Sequence, residues 1–549
     1  MTAHRPCSGR RLSLLDFFED WAKLEGEFLV WDDGYRVHTW TYARMAEAAR
    51  AFAARSQLAR GDKVILWSEN RPEWVAAFWG CLLRGAIPVP VDYRASPELL
   101  LRIYHAAQAR VVIAGDEAPA IDVPVWRFRE LPWTGGYVVA AAHEIAEVLF
   151  TSGATAEPKG VVITHRNILA NITPIEQEVR KYVAKYRLAA RVFSPIRFLN
   201  LLPLSHMFGQ AMAIFVPPLL AGTVVFMRGF SAHEIVRLMR KRRISVLVCV
   251  PRILEVLREY VRPMLTEAPA SDRHPALRWW RYRRIHRLFG FKFWTFVVGA
   301  APLDAELEAF WEGLGFVVIQ GYGLTETAPI VTLNHPFQTK RGTVGTPIGG
   351  VEVRISPEGE ILVRGENVTT GYLDGSAALT DDGWLRTGDV GAIDEAGRLQ
   401  VRGRVKETIV TPEGMNVFPE DVERVLNRLP GVRESAVVGE SAVHAVLSLE
   451  DGASASEIIR DANAQLEEHQ RIRGFSVWNS GPLPRTDATG KLKRRELQSW
   501  VAAGGVLRPA ARERGVEEVV ARYAPGRQIG RDTTLGELGL SSLERVELL

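Results

Sequence analysis

Two short apolar runs on either side of a turn of small residues constrain the fold of this chain more than any other stretch. Residues 148–150 (VLF) have the character of the end of a buried strand, and residues 161–163 (VVI) begin a second apolar strand. The turn between them is rich in Gly, Ser and Thr and ends near Lys159. Backbone N–H groups and hydroxyls in such a turn can surround the oxygens of a polyphosphate, and a lysine adds positive charge. The stretch therefore predicts a phosphate-binding turn between two strands, although an ordinary hairpin turn would explain the glycines about as well.

This turn differs from the common P-loop. No Gly directly precedes Lys159, and Gly160 stands where that loop needs a Ser or Thr to bind magnesium. The nucleotide interpretation therefore depends on other stretches of the chain.

The order of the predicted elements indicates several domains. At 549 residues the chain is too long for one hydrophobic core. Alternating strand and helix patterns continue to about residue 330, which favours mainly parallel sheets covered by helices. Residues 342–402 contain short strands and turns and predict a small β-rich subdomain, a compact α+β segment follows to about residue 498, and residues 499–511 predict a linker.

The composition is that of an ordinary globular protein and argues against several classes. Hydrophobic residues make up 47% of the chain and charged residues 24%, and a net charge of +4 argues against a dedicated nucleic-acid binder. The three cysteines are widely spaced, match no disulfide framework or metal site, and fit a reducing cytoplasm. We see no apolar signal-peptide region and no window with the ~18–20 apolar residues that cross a bilayer. We therefore expect a cytoplasmic protein that is soluble or at most peripheral to a membrane.

Separated motifs in a fixed order resemble those of the adenylate-forming superfamily, which contains acyl-CoA synthetases, luciferases and the adenylation domains of peptide synthetases. The motifs are FTSG at 150–153, QGYGLTET at 320–327, RTGD at 386–389, GRVK at 403–406 and GK at 490–491. The resemblance covers residues from about 30 to 498. It implies an α/β fold with an N-terminal adenylation domain over 1–403, which includes the β-rich subdomain, and a small mobile α+β C-terminal lid over 404–498.

The resemblance implies that the turn after residue 150 binds the β- and γ-phosphates of ATP. The residues that would do so are Thr151, Ser152, Gly153, Thr155 and Lys159. Joining a carboxylate to the α-phosphate brings an anion up to a polyanion, so charge neutralisation and alignment should dominate catalysis. Ala154 and Ala156 replace a threonine and a glycine that are common in the family, which removes one hydroxyl and stiffens the loop.

The QGYGLTET motif would bind the metal and the adenine. By resemblance, Glu326 binds Mg²⁺, Thr325 contacts the α-phosphate, and Tyr322, between Gly321 and Gly323, offers a flat face to the adenine. A magnesium ion held by one carboxylate and by substrate phosphates suits the chemistry of that ion. The alternative for Glu326 is a solvated loop carboxylate, and the GYG run alone would also fit the start of a dinucleotide fingerprint, which is weak evidence.

Three further features would complete the nucleoside site. The family's turn along the adenine is matched by Gly299-Ala300-Ala301-Pro302, in which Ala300 replaces a common glycine. Asp389 would accept hydrogen bonds from both ribose hydroxyls, and Arg404 would contact the ribose from the other side. Alternatively, Asp389 is only a turn residue that follows a glycine.

Three residues of the C-terminal segment have implied roles in a lid that the family uses in two orientations. Lys491 would reach the carboxylate and the α-phosphate oxygens, for which a point charge on a flexible stem is suited. The alternative is a solvated basic run, because residues 493–495 are also basic. Lys406 would be the hinge, and Gly414 would line the thiol channel in the second orientation.

Residues 202–209 (LPLSHMFG) resemble the segment that gates the acyl pocket of fatty-acid ligases, and His206 is a candidate catalytic residue. Ser205 beside His206 would suit a hydrolase, but adjacent side chains diverge and the sequence indicates no acidic third member. The segment lacks the aspartate that holds an amino group in the peptide-synthetase branch, so a medium- to long-chain fatty acid is favoured. Pocket depth would set the chain length, since each buried CH₂ contributes about 0.8 kcal/mol.

Residues 273–303 contain six arginines, one lysine, three tryptophans and no acidic residue. This composition fits peripheral contact with an anionic membrane. An ordinary exposed helix with a core face explains it as well.

Residues 532–543 (DTTLGELGLSSL) resemble the attachment site of acyl carrier domains. In that family a serine at the start of a helix accepts a 4′-phosphopantetheine arm, and by position this serine is Ser542. We interpret residues 512–549 as a truncated carrier domain within a longer protein. Ser541 replaces the usual acidic residue, and a helix N-cap of two serines is the alternative.

The predicted function is activation of the fatty acid as acyl-AMP with ATP and Mg²⁺, followed by thioester formation on the phosphopantetheine of the fused carrier. A flexible linker of about 11 residues spans roughly 20 Å and gives an effective concentration near ~1 mM, enough to rival free CoA. A ligase that uses free CoA is the close alternative, and a downstream acyltransferase module would be a fitting partner. Two alternatives come from other functional classes: a catalytically inactive binding module, and luciferase-like oxidation of the adenylate. The intact set of Thr325, Glu326, Asp389, Arg404 and Lys491 argues against the first, and no feature supports the second.

Overall fold

The computed structural model describes most of the chain in two compact units. The described residues are 11–116, 118–136, 140, 142–151, 158–185, 194–229, 231–267, 269, 275–335, 339–411, 415–485 and 492–504. Unit 1 comprises residues 1–228, 236–387 and 392–400, and unit 2 comprises residues 229–235, 388–391 and 401–549. The predicted linker and carrier segments, apart from residues 499–504, lie outside the described residues, and the predicted domain boundaries remain predictions.

Strands alternate with helices along most of unit 1, as the sequence pattern predicts. The strands are β1 (Glu27–Asp32), β2 (Val37–Thr41), β3 (Lys63–Trp67), β4 (Ile87–Val91), β5 (Val111–Ala114), β6 (Val125–Arg127), β7 (Ile145–Thr151), β8 (Lys159–Thr164), β9 (Arg197–Asn200), β10 (Thr223–Met227), β11 (Val246–Cys249), β12 (Thr295–Val298), β13 (Val317–Gly323), β14 (Ile330–Leu333), β15 (Thr346–Pro347), β16 (Val351–Ile355), β17 (Glu360–Gly365), β18 (Leu385–Ile393), β19 (Leu399–Arg404), β20 (Ile409–Val410), β21 (Asn416–Val417), β22 (Val432–Val438), β23 (His444–Leu449) and β24 (Gly474–Val477).

The helices lie between these strands and cover the faces of the sheets. The α-helices are Leu14–Trp21, Tyr42–Arg55, Pro72–Arg84, Pro97–Ala107, His165–Lys185, Met207–Gln210, Val216–Leu219, Ala232–Arg242, Pro251–Val261, Pro275–Arg281, Arg283–Phe289, Ala305–Gly313, Pro419–Leu426, Ala455–Asn463 and Arg494–Ala502, and a π-helix spans Ala211–Phe215.

The largest sheet of the described residues has nine strands in the order β15-β14-β13-β12-β11-β9-β10-β1-β2. Its central strands, from β13 to β1, all pair in parallel. The outer strands pair antiparallel. A second sheet, β4-β3-β5-β6, is parallel throughout. The prediction of mainly parallel sheets flanked by helices is therefore confirmed.

The helix Pro72–Arg84 shows how local sequence sets these elements. Proline occupies its first turn, where no intrahelical N–H is needed, and Gly85 ends it at φ 76°, in the left-handed region that glycine tolerates. Eleven of its residues are buried, because helices between two sheets have no solvent face. Trp74, Phe78 and Trp79 from this helix are part of the main core, which also includes the first helix.

Strands β7 and β8 form a separate antiparallel hairpin, with Thr151 opposite Lys159 and Phe150 opposite Gly160. The β-rich subdomain is the four-stranded sheet β16-β17-β18-β19. In unit 2, strands β22-β23-β24 form a sheet, and the helices Pro419–Leu426 and Ala455–Asn463 pack a small core against it. These elements confirm the two strands around the predicted turn and the short-strand pattern after residue 342.

Candidate active site

The motifs of unit 1 meet at the carboxyl edge of the largest sheet. Parallel strands end at the same edge, and ligands of open α/β sheets bind there. Residues 201–209 follow β9, residues 299–302 follow β12, and residues 321–327 lie at the end of β13. Val298 is in register with Gln320, so the two glycine-containing segments begin side by side. The fold thus brings together three motifs that are far apart in the sequence.

The turn after β12 is closely packed and strained. A Cβ added at Gly299 would lie 2.8 Å from Cε1 of Phe208, so this aromatic ring of the acyl segment packs directly against the turn. Ala300 has φ 68°, in the left-handed region where an L-residue is strained and a glycine is not. The family's common glycine at this position is therefore explained by the backbone. Asp304 then caps the next helix, and its Oδ1 accepts hydrogen bonds from the N–H of Glu306 at 2.8 Å and Leu307 at 3.1 Å.

Two side-chain amides and one backbone N–H hold the loop that carries Glu326, and the sequence analysis singled out none of the three residues. The amides of Asn171 and Asn367 both donate to the carbonyl of Thr327, at 3.1 Å and 3.0 Å. The N–H of Thr369 donates to the carbonyl of Glu326 at 2.8 Å. Because these contacts come from distant parts of the chain, the loop conformation is imposed by tertiary structure.

The same loop also needs a glycine for steric reasons. A Cβ added at Gly323 would lie 1.7 Å from the carbonyl oxygen of Pro329, closer than any real contact. This explains the second glycine of the GYG run without any ligand. Gly323 therefore has a packing role, and its role toward the nucleotide remains a prediction.

Glu326, Tyr372 and Lys159 lie close together. The Tyr372 hydroxyl donates to Glu326 Oε1 at 3.4 Å, and Lys159 Nζ lies 5.2 Å from the centroid of the Tyr372 ring. Burial and the charge of Glu326 raise the pKa of Tyr372 to about 12, so the phenol stays protonated and donates to the carboxylate. A carboxylate, a phenol and an ammonium group suit a polyphosphate with its metal ion.

Tyr372 reaches this place because its segment is fastened to β8. The N–H of Leu373 donates to the carbonyl of Gly160 at 2.7 Å, and the Thr369 hydroxyl donates to the carbonyl of Val162. A Cβ at Gly160 would lie 3.0 Å from Val148 Cγ1 and 3.2 Å from Leu373 Cβ. Gly160 therefore serves close packing, and the segment ties the hairpin to the loop of Glu326. No local pattern singles out Tyr372 in the sequence apart from the glycine before it.

The acyl segment is anchored from the second sheet. Asn70, which follows β3, donates from Nδ2 to the carbonyl of Leu202 at 2.7 Å and accepts from the N–H of Leu204 at 2.8 Å. Gly209 faces the carbonyl oxygen of Pro203, which would lie 2.1 Å from an added Cβ. These contacts fix the backbone around His206.

His206 has an acidic neighbour that sequence reasoning did not find. Its Nε2 lies 3.7 Å from Oδ2 of Asp92, the residue after β4. Burial alone would raise the pKa of Asp92, but His206 and Arg94 lower it well below its usual value, so Asp92 is ionised. The buried Oγ of Ser205 has no hydrogen-bond partner among the described residues, and it therefore forms no nucleophile–base pair with His206.

The donor set of unit 1 fits a magnesium ion that is bound mainly through a substrate. In the part of the chain that the structure describes, no group of three or more His, Cys, Asp and Glu side chains could hold a metal. Glu326 supplies one carboxylate, and the hydroxyl of Thr325 is in the same turn. Magnesium commonly binds one or two carboxylates, phosphate oxygens and water, so this set is sufficient when a polyphosphate is present.

In unit 2, Asp389 and Arg404 form an ion pair, with Arg404 Nε 2.8 Å from Asp389 Oδ1. Asp389 is buried and Arg404 is partly exposed. The two residues that the resemblance places around a ribose are therefore direct neighbours, and their roles toward the ribose remain predictions. Lys406, the predicted hinge, lies in a single 3₁₀ turn, Val405–Glu407, directly after β19.

Six residues with predicted roles lie outside the described residues. They are Ser152, Gly153, Thr155, Gly414, Lys491 and Ser542. Thr151 and Lys159 bracket the predicted phosphate-binding turn as the last residue of β7 and the first of β8.

Comparisons with known proteins agree with this geometry. A family model described as "AMP-binding enzyme" matches residues 18–373. The long-chain-fatty-acid–CoA ligase FadD15 of Mycobacterium bovis is 27% identical and covers 82% of this chain and 89% of its own length. A 3-[(3aS,4S,7aS)-7a-methyl-1,5-dioxo-octahydro-1H-inden-4-yl]propanoyl:CoA ligase of Mycobacterium tuberculosis is 31% identical over 69% of this chain and 76% of its own. Among solved structures, o-succinylbenzoate coenzyme A synthetase of Bacillus subtilis with ATP and magnesium matches with a TM-score of 0.72 and 25% identity, over 88% of this chain and 99% of that one.

Proposed function

Because the chain belongs to the AMP-binding enzyme family and is an AMP-forming acid–thiol ligase, we propose that it activates a medium- to long-chain fatty acid with ATP and passes the acyl group to a phosphopantetheine thiol. The observation that carries this proposal is the convergence of Glu326, Tyr372 and Lys159 at the sheet edge that also bears the acyl segment. A carboxylate oxygen of the acid attacks the α-phosphorus and pyrophosphate leaves. The thiol then attacks the acyl carbonyl carbon and AMP leaves.

The side chains of unit 1 neutralise and orient the nucleotide in this proposal. Lys159 and Thr151 bind the β- and γ-phosphates together with Ser152, Gly153 and Thr155. Glu326, which Tyr372 orients by hydrogen bonding, holds the magnesium ion, and the ion supplies positive charge to the phosphates. Thr325 contacts the α-phosphate, and Tyr322 and the turn at 299–302 flank the adenine. Binding of ATP and magnesium by the related synthetase of Bacillus subtilis supports these roles.

The acyl segment favours an apolar acid. Leu202, Leu204 and Met207 are buried around His206, and the described part of this segment contains no carboxylate of its own that would bind an amino group. The curated relatives include ligases named for long-chain fatty acids. His206, with Asp92 beside it, is proposed to orient the acid's carboxylate at the mouth of the pocket.

For the thiol, the proposal keeps the carrier arm at Ser542 as acceptor, with free CoA as the second candidate. The DTTLGELGLSSL motif and the adjoining linker sequence favour the carrier. The relatives' names, which are those of CoA ligases, favour CoA. A downstream acyltransferase would consume the product in either case.

The adenylation step is tested by ATP–pyrophosphate exchange with a panel of carboxylic acids from eight to twenty carbons. Lys491→Ala should lose at least the ~3–4 kcal/mol that one oxyanion donor contributes, which is a 10²- to 10³-fold fall in exchange rate. Lys493→Ala is the matched control, because Lys493 is an exposed cation of the same basic run. Unchanged exchange in Lys491→Ala, or a wild-type protein that exchanges only with amino acids, would contradict the proposal.

The acceptor is tested in the full chain after treatment with a phosphopantetheinyl transferase. Mass analysis of Ser542 with fatty acid and ATP should show an acylated arm, which Ser542→Ala abolishes. If acyl-CoA forms at the same rate in Ser542→Ala and no acylated arm is found in the wild type, CoA is the acceptor.

We also propose a peripheral membrane contact through an arginine–tryptophan patch of unit 1. The patch comprises exposed apolar and basic side chains on two short helices and the following loop, namely Leu277, Trp279, Trp280, Phe291, Arg283, Arg284 and Arg287. Ile285, His286 and Phe289 of the same segment are buried and provide the core face that the sequence also predicts. Arg283 lies over the Trp280 ring at 5.0 Å. No described helix is long and apolar enough to cross a bilayer.

Charge and aromatic content favour an anionic bilayer over a protein partner for this patch. Basic side chains near such a surface contribute about 1 kcal/mol each, and tryptophan favours the headgroup region. Co-sedimentation with phosphatidylglycerol-containing vesicles should fall about tenfold or more in Arg283→Ser/Arg287→Ser and in Trp280→Ser, and raised salt should weaken it. Tyr35→Ser, which alters an exposed aromatic elsewhere in unit 1, is the control. Equal binding to uncharged phosphatidylcholine vesicles would contradict the electrostatic part of the proposal.

A further inference from the structure

A buried carboxyl group in the nucleotide hairpin contacts the acyl segment. Glu147 lies on β7, where its side chain is fully buried, and its Oε2 accepts a hydrogen bond from Gln210 Nε2 at 2.9 Å. Glu147 Oε1 and Gln210 Oε1 are also buried, and neither has a partner among the described residues. Two oxygen acceptors thus lack a donor within one side-chain pair.

A single proton on the carboxyl group could supply the hydrogen bond that these two oxygens lack. A neutral carboxylic acid donates its O–H to the amide oxygen while its carbonyl oxygen accepts from the amide N–H. Burial raises the pKa of Glu147 to about 8, and the hydrogen bond from Gln210 only partly opposes this rise. We therefore expect a neutral acid–amide pair near neutral pH, in which an O–H of Glu147 directed at the amide oxygen would give both unpartnered oxygens a hydrogen bond.

The position of this pair matters because each partner belongs to a different part of the site. Glu147 precedes Thr151, the entrance to the predicted phosphate-binding turn, on the same strand. Gln210 ends the short helix that begins after His206 and carries Phe208, whose ring packs against Gly299. A π-helix follows directly after Gln210, and such helices occur frequently at functional sites.

We propose that Glu147 and Gln210 are positioning residues that hold the acyl segment in a fixed register with the nucleotide hairpin and thereby couple binding of the fatty acid to binding of ATP. This inference rests on the proposed function. Apolar packing alone would allow the segment to slide, whereas a buried acid–amide pair has one geometry in which both hydrogen bonds form. Neither side chain is required to touch the reacting atoms.

The inference predicts a distinct kinetic pattern. Glu147→Leu and Gln210→Leu should each raise the KM for a fatty acid about tenfold and weaken the mutual enhancement of acid and ATP binding by a similar factor. Binding of ATP in the absence of acid should change less than about twofold. Glu147→Gln, which keeps an amide able to pair with Gln210, should restore most of the coupling. The double variant Glu147→Leu/Gln210→Leu should be no worse than either single variant, because both remove one interaction.

The experiment is steady-state adenylation in the full chain with fatty acid and ATP varied together, alongside ATP binding without acid. If the wild type is active and its leucine variants keep the wild-type KM and coupling, the inference is overturned and the proposed function stands. The inference is also overturned if the affinity for ATP falls by the same factor as the KM for fatty acid rises and Glu147→Gln does not rescue either. That is the pattern of general destabilisation. A wild type with no fatty-acid-dependent exchange overturns the proposed function and this inference together.

Discussion

Buried glutamates occur in both units of the molecule, but their surroundings differ in one respect. In unit 1, the one side-chain hydrogen bond of Glu147 within the described residues comes from the neutral amide of Gln210. In unit 2, three glutamates surround Arg494, the first residue of the last described helix. Arg494 Nε lies 2.9 Å from Glu407 Oε2, and its other nitrogens contact Glu420 at 3.1 Å and Glu423.

The cation decides whether a buried carboxyl group is charged. Burial alone would lower the pKa of Arg494, but the three carboxylates raise it, so the guanidinium keeps its charge. One arginine does not fully compensate three acids, and burial raises the pKa of Glu420 to about 6 although Arg494 opposes this rise. No cation of the described residues acts on Glu147, and burial raises its pKa further, to about 8. The glutamates of unit 2, which are less completely buried and lie against a cation, therefore form a charged network, whereas the fully buried Glu147 is paired with a neutral amide.

The largest effect is expected from removal of the cation. Arg494→Leu leaves the buried Glu423 and the partly buried Glu420 and Glu407 without their partner, and loss of one partner of a buried pair typically costs about 3–5 kcal/mol. Hydrogen exchange of the amides in β22 and β23 measures this loss locally, because Arg494 also donates to the carbonyl of Val437 in β22. The exposed neighbour Arg495 provides the control, and Arg495→Leu should stay within about 0.5 kcal/mol. A loss below about 1 kcal/mol in Arg494→Leu would show that the network is no more important than the neutral pair.

A smaller loss is expected in unit 1. Glu147→Leu leaves the neutral amide of Gln210 unpaired, which costs about 1–3 kcal/mol, and the double variant Glu147→Leu/Gln210→Leu should recover most of it. Chemical denaturation of the full chain, with exchange of the amides in β7 and β8 as the local probe, measures both variants. A cost for Glu147→Leu as large as that for Arg494→Leu would indicate that Glu147 is charged and that an unrecognised cation is present.

The third expected effect is a slope in stability with pH, smaller for each pH unit than either of the losses above. Glu147 has a folded-state pKa of about 8 against an ordinary value of 4.5, so the folded protein holds a proton that the unfolded chain releases within this interval. Stability should therefore fall as pH rises from 4.5 to 8, by at most about 1.4 kcal/mol per pH unit. Glu147→Gln has no such proton, and its free energy of unfolding should lose this slope. Identical slopes in wild type and variant between pH 5 and 8 would refute the neutral pair.

The sequence predicted the elements of the site better than their contacts. The apolar runs around the Gly-rich turn gave β7 and β8, and the motif after β13 gave the loop of Glu326, because strand pattern and turn chemistry are local properties. Tyr372 lies 46 positions from Glu326, and Asn171 lies 156 positions from Thr327. No periodicity links such pairs, so the sequence pattern could not identify them.

The acidic neighbour of His206 illustrates the same limit. Sequence reasoning found no third acidic member near Ser205 and His206, yet Asp92 lies beside the imidazole because β4 and β9 belong to sheets whose carboxyl edges approach the same segment. The assignment of an apolar acid does not depend on this contact. The geometry instead adds a charged partner that can orient His206.

The sequence by itself determined which segments become strands, helices and glycine turns, and the order in which the family's motifs occur. It also showed that Ala300 stands where the family commonly has a glycine, and the structure then placed this residue in the left-handed region. Only the tertiary structure decided which of the buried glutamates are neutral and which are charged. The reason is that short-range patterns set local hydrogen bonding and burial, whereas the pKa of a buried carboxyl group depends on whether folding brings a cation such as Arg494 from a distant part of the chain.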